Sequence, residues 1–345
     1  VSAVLGASLG ASLRRVARWH RPLMLMVASM LILLVVSVVG LLVDDRVLLG
    51  APVWLKPFKF AVSMAVYGTT LAWMLSLPHR GRKWTSGLAT VFAVTGFVDT
   101  VIVAIQAARG TYSHFHKTTV VAEKAMLAVF GNAVILIMLA NLALAVILAV
   151  QRVHADRAVS RAIRTGLALA VAGMALGFLM PAQGKAETAL TTTGERVSLS
   201  SGHSVGVPDG GPGLPVTEWS TTGGDLRVPH FVGLHGLQVM LIVALLLTVA
   251  AARRPLLRDD RTRARLVGVA AAGYAGLIAL VTWQALRAQP LLRPDGSTLA
   301  AAGLLVVLTA VAAAGVLVAG RRATAGGRGD PAAAGGRSTG VTSAQ

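Results

Sequence analysis

The chain has no cysteine. That removes disulfides, thiolate metal sites, cysteine-ligated iron–sulfur clusters and cysteine nucleophiles together. Charge is scarce as well. Only 13% of the 345 residues are Asp, Glu, Lys or Arg, against roughly 25% in a soluble domain. No phosphate-binding loop, dinucleotide fingerprint or hydrolase nucleophile motif occurs.

Apolar residues fill the space that charge leaves. They make up 55% of the chain, and mean hydropathy is +0.70. They fall in long uncharged runs, which predicts an all-α polytopic transmembrane helical bundle. The net charge of +18 would suggest nucleic-acid binding in a soluble chain. Here most Lys and Arg sit in short segments between apolar runs, where they orient membrane helices. The expected partner is the lipid bilayer, not nucleic acid. Usage rich in Ala, Val, Gly, Leu and Arg but poor in Lys points to a GC-rich bacterial genome. The expected location is the bacterial plasma (inner) membrane.

Eight runs are long enough to span about 30 Å of hydrocarbon. They are Pro22–Val43, Phe60–Leu77, Gly87–Ala108, Ala125–Val150, Thr165–Gln183, Val228–Ala252, Leu266–Leu286 and Gly296–Gly320. Seven carry no Asp, Glu, Lys or Arg, and the third carries only Asp99. The first follows a basic segment, residues 1–21, and reads as a retained anchor. With the N-terminus inside, 21 of the 32 Lys and Arg residues fall on the inner side. Every inner segment is then basic, which predicts eight spans with both termini inside. The membrane domain covers 22–320. The tail, 321–345, is rich in Gly, Ala, Ser and Thr and reads as a disordered cytoplasmic segment. The one long outer loop, 184–227, carries Asp209-Gly-Gly-Pro-Gly213 and Trp219. It is read as a linker or a lid, with the turn signals and Trp219 favouring the lid.

Polar residues inside a bilayer are costly and mark sites. At 1.5 Å per residue, Asp99, Asn132, His235 and Gln238 all lie roughly 10–15 Å below the outer surface. On the second run, Lys56, Lys59, Ser63, Tyr67 and Thr70 fall within about 80° on one helix face. On the third, Thr95, Asp99 and Gln106 share about 60° and lead up to Arg109. Lys56, Lys59 and Arg109 are the candidate counter-charges for Asp99. Asn132 and Asn141 read equally as glue between helices. Gly233 and Gly236 would allow another helix to approach, and Gly173 and Gly177 read as packing residues.

Four of the eight histidines, His114, His116, His230 and His235, belong to the outer half. That clustering admits a b-type haem or a metal ion. The spacing argues against it, because His230 and His235 lie about 140° apart on a helix. His20, His79 and His154 lie in inner loops and are expected to be solvated. His203 lies in the long outer loop.

Three segments carry a family resemblance: Trp54-Leu-Lys-Pro-Phe-Lys-Phe60, Ala108-Arg-Gly-Thr-Tyr-Ser-His-Phe115 and Gly224-Asp-Leu-Arg-Val-Pro-His-Phe-Val-Gly-Leu-His-Gly-Leu-Gln238. They resemble the signature segments of a bacterial multi-pass inner-membrane family to which no activity is assigned. The resemblance covers the second to the sixth run. It implies an inner-membrane location and carries no mechanism. His116 stands where Asn is usual in that family.

The residues admit three functional readings. The first is an outward-facing polar pocket that binds a small solute, ion or lipid headgroup, extended to proton-coupled transport through Asp99. The second is a membrane redox or lipid-modifying enzyme with haem or a metal at His235 and an outer-loop histidine. The third is a non-catalytic assembly or sensory subunit. The candidate ligand and proton-binding residues are Asp99, His235, Gln238, Lys56, Lys59, Gln106, Arg109, Asn132 and Tyr67.

Overall fold

The computed structural model describes residues 19–151, 155–184 and 186–326. The first helix, α1 (Arg21–Val43), starts at His20, whose Nδ1 accepts the Leu23 N–H at 3.4 Å. It is followed by α2 (Leu55–Ser76), α3 (Arg82–Ala108), α4 (Val121–Val150) and α5 (Arg157–Gly177). One further turn, α6 (Leu179–Ala182), extends α5. After the outer loop come α7 (Arg227–Leu234) and α8 (Gly236–Ala251), then α9 (Asp260–Leu286) and α10 (Gly296–Gly326). Among the described residues, seven helices are long and apolar enough to cross a membrane, and eight when α7 and α8 count as one bent span. The chain is a multi-pass membrane protein.

The helices outrun the uncharged segments because polar and charged residues supply their first turns. Asp156 caps α5 by accepting from Val159 N–H at 2.7 Å, and Asp259 caps α9 by accepting from Thr262 N–H at 2.9 Å. Such caps satisfy orphan amides at the membrane surface. α2 starts at Leu55 instead of Phe60, so Lys56 and Lys59 belong to the helix. Pro57 does not prevent this, since a first-turn N–H has no helical partner. Of the segment expected to be a disordered tail, residues 321–326 continue α10, and 327–345 lie outside the described residues. Residues 1–18 of the basic N-terminal segment, and His154, lie outside them too.

The sixth run is not one straight helix. It bends by 45° between α7 and α8, at His235. The bend sits where the chain presses on α5. A Cβ on Gly173 or Gly233 would strike the other residue's backbone, and a Cβ on Gly166 would meet Leu237 Cα at 2.7 Å. Gly177 lies against the His230 ring.

Neighbouring helices pack in chain order: α1 with α2 and α3, α3 with α4, α4 with α5. α5 then packs against α7, α8 and α9, while α10 leans chiefly on α9. Leu23, Leu71, Phe92, Leu144 and Leu167 form the central core, one from each of the first five helices. Leu25, Leu31, Leu245, Leu246 and Val306 point outward as lipid-facing surface.

The long outer loop is folded. After α1 the short strands β1 (Val47–Leu48) and β2 (Ala51–Pro52) form a small hairpin; in the long loop β3 (Glu187–Leu190) and β4 (Arg196–Leu199) form an antiparallel hairpin, and β5 (Ser204–Val205) pairs with β6 (Gly224–Asp225). The segment following α3 attaches to β4. Lys117 N–H donates to Ser198 O at 2.8 Å, and Ser200 N–H to Phe115 O at 2.6 Å. The loop is therefore fastened to the segment following α3 and, where Thr217 accepts from Lys59, to α2, as a lid.

Candidate functional site

The site gathers beneath this lid. Lys56 Nζ, in the first turn of α2, donates to Ser113 Oγ at 2.6 Å and to His114 Nδ1 at 3.1 Å. Lys59 Nζ, one turn deeper, donates to the Thr217 carbonyl at 3.1 Å. Neither ammonium makes an ion pair with a carboxylate among the described residues. The His114 ring stacks on Phe130 of α4 at 5.2 Å and meets the His203 ring edge-on at 5.6 Å. Lys56, His114, His203 and His230 are each half-buried.

His203 is held by Asp209. Its Nδ1–H donates to Asp209 Oδ2 at 2.7 Å, and the same carboxylate accepts the backbone N–H groups of His203 and Ser204. Burial pushes the Asp209 carboxyl up, but the His203 imidazole and these N–H donors outweigh it and hold it well below the usual range. Burial lowers His203, only partly offset by Asp209. Burial, with the Lys56 charge added, holds His114 well below the ordinary histidine value. Both imidazoles are thus neutral at pH 7, and His114 Nδ1 serves as an acceptor for Lys56.

A second charged group closes the side. Asp225 pairs with Arg227 at 2.6 Å and accepts the Ser220 N–H at 2.8 Å. Arg227 also donates to the Glu218 carbonyl, joining the start of α7 to the lid. Trp219 meets Phe231 edge-on at 5.9 Å.

Asp99 lies deeper, nine residues before the end of α3. It is only 3% exposed, and its Oδ1 has no hydrogen-bond partner. Arg109 does not act as its counter-charge. It pairs with Glu123 at 2.6 Å and donates to Gln106 Oε1 at 3.1 Å, from an exposed position above. Gln106 is fully buried, with Nε2 unpartnered. On the bent span, His230 Nδ1 bonds to the Gly173 carbonyl at 2.7 Å, and the His235 ring lies 4.5 Å from Phe231. Gln238 lies one turn below His235, and both of its side-chain polar atoms, like His235 Nε2, are buried without a hydrogen-bond partner.

Two expected residues lie elsewhere. Asn132 is exposed on α4 and bonds back to its own Ala128 carbonyl at 2.7 Å. Tyr67 is buried in the core, where its hydroxyl donates to Asn141 Oδ1 at 2.8 Å and its ring stacks on Phe92. His116 also departs from the cluster. It turns away from His114, sits 3.8 Å from Glu123, and bridges Leu199 of β4. Among the described residues, no three His, Asp or Glu side chains converge in a metal-holding geometry. His79, expected in solvent, is buried and bonds to Thr85 Oγ1 at 2.9 Å and to the Leu77 carbonyl.

Ser113, His203, Asp209 and Arg227 are site residues that sequence reasoning passed over. The available signal was Asp209 in a Gly- and Pro-rich turn six residues from His203, a spacing that allows an Asp–His pair. Comparison with models of known protein families, with curated proteins and with solved structures finds no match to this chain.

Proposed function

We propose that the chain is a bacterial plasma-membrane protein whose outer half binds a small anionic solute or headgroup beneath the lid. One observation carries this reading: two ammonium groups, Lys56 and Lys59, sit half-buried under the loop without a carboxylate partner among the described residues. Buried cations without counter-ions are expensive, and a bound anion would offset that cost. Ser113 and His114 would orient the ligand through the Lys56 ammonium. The segments that resemble a bacterial inner-membrane family supply Lys56, Lys59, Ser113, His114, Arg227 and His235, which supports the same site and location.

Titration of the purified protein with small carboxylates and phosphates, followed by calorimetry, tests the reading. Anion binding by the wild type should weaken at least about tenfold in the Lys56→Gln/Lys59→Gln protein, as loss of one charge-assisted contact predicts. Equal binding by both proteins, or no anion binding by either, overturns it.

Asp99 supports an extension to proton-coupled transport. Its carboxyl is buried with an unpartnered oxygen on the membrane side of Lys56, the arrangement of a group that exchanges a proton when a ligand arrives or leaves. Ligand uptake into proteoliposomes under an imposed pH gradient is the direct assay.

A further inference from the structure

A separate groove opens on the opposite, basic end of the bundle. It has a volume of about 520 Å³ and runs between α9 and α10, with Arg161 of α5 at its side. Its walls are apolar, including Gly268 and Val269 on α9 and Leu305, Leu308 and Val316 on α10. Both ends are pinched. A Cβ on Gly276 would collide with Leu305 at one end, and a Cβ on Gly320 would lie 3.0 Å from Thr262 Oγ1 at the other. Between them a Cβ on Gly273 would lie 2.9 Å from Thr309 Oγ1, so the two helices stay close there and the groove runs beside this seam.

The groove carries two guanidinium groups, Arg161 and Arg265, both exposed. Neither takes part in an ion pair among the described residues, whereas Arg263 nearby pairs with Asp156 at 3.3 Å. Gly268 makes room for one of them, since a Cβ there would lie 3.1 Å from Arg161 Nη1. From Arg265 to Gly273 the groove climbs eight residues of α9, about 12 Å along the helix axis and into the hydrocarbon. The positive-inside rule places this end at the cytoplasmic surface.

We propose that this groove is a binding site for one anionic phospholipid of the inner leaflet. Its phosphate would sit between Arg161 and Arg265, and one acyl chain would lie along Leu305, Leu308 and Val316. Charge complementarity identifies the occupant. Unpaired arginines at the headgroup level select a net negative lipid, and an apolar channel below them fits a chain rather than a free ion.

The test uses the full chain, delipidated in detergent and incubated with phosphatidylglycerol or phosphatidylcholine, with retained lipid read by native mass spectrometry. One phosphatidylglycerol should be retained in preference to phosphatidylcholine. The Arg161→Gln/Arg265→Gln protein should lose that preference by at least about tenfold, as loss of charge-assisted contacts predicts. Ala312→Phe, which fills the groove and leaves both charges, should reduce retention as well. Equal retention of the two lipids, or full retention by either variant, overturns the proposal. So does complete displacement of the lipid by millimolar inorganic phosphate, which would mark a free-anion site.

Discussion

Gly173 of α5 and Gly233 of α7 lie backbone against backbone, with no space for a side chain on either. This contact fixes the place where the sixth span bends. It also positions His230, whose Nδ1 bonds to the Gly173 carbonyl at 2.7 Å. Gly173→Val should therefore destabilise the protein by about 1–3 kcal/mol or more, the usual range for overpacking. A fall in detergent melting temperature larger than that of Gly303→Val checks it, since Gly303 has open space around its Cα.

Asp99→Asn should leave the melting temperature unchanged or raise it, because the wild-type carboxyl has an unpartnered buried oxygen. Under the proposed coupling, the same substitution should abolish uptake driven by a pH gradient while ligand exchange at equal pH continues. Retention of gradient-driven uptake would remove Asp99 from the proton path.

Asp209→Ala should loosen the lid. It leaves the His203 and Ser204 N–H groups and the His203 imidazole without their shared acceptor. Hydrogen bonds to a charged group are worth about 1.5–3 kcal/mol each in such settings. Hydrogen exchange should accelerate in residues 200–226 and remain unchanged in α1.

Stability should fall with acid below the ordinary histidine value of 6.5, because burial depresses both His114 and His203. The unfolded chain then takes up protons that the folded chain refuses, so folding weakens as pH drops through that value and is unaffected above it. Melting curves between pH 8 and pH 5 read this directly. His203→Gln should flatten part of the slope.

Tyr67→Phe should cost little, about 0.6 kcal/mol, as expected for one hydrogen bond between membrane helices. It should not alter anion binding, because the Tyr67 hydroxyl bonds to Asn141 in the core and does not face the lid. A change in affinity would place Tyr67 back in the site.

Hydropathy made the membrane helices legible, because a spanning helix has to satisfy its own backbone and present apolar side chains to lipid. Lys56, Lys59 and Asp99 were legible because charge in an apolar setting stands out. Other residues were misplaced for geometric reasons. Tyr67 shares the angular face of Lys56 and Lys59 but lies eight residues deeper than Lys59, so it meets the core instead of the lid. Asn132 lies at an appropriate depth but on the outer face of its helix. A wheel gives direction and a count gives depth, and a site needs both. The bend at His235 was hidden because an average of hydropathy carries no information about axis direction. His203 and Asp209 reach the site through loop strands, and pairing between distant segments leaves no local pattern.

The lid's attachment to the segment following α3 bears on biogenesis. Phe115 and Lys117 leave the ribosome long before Ser198 and Ser200, the residues they pair with, and α4, α5 and α6 are made in between. Closing so long a loop is entropically slow compared with forming helices. During synthesis the helices that carry Lys56 and Asp99 are therefore in place before their cover arrives. The nascent protein leaves those charges uncovered until the loop after α6 has been made, and a chain arrested before that point would be a membrane protein without its lid.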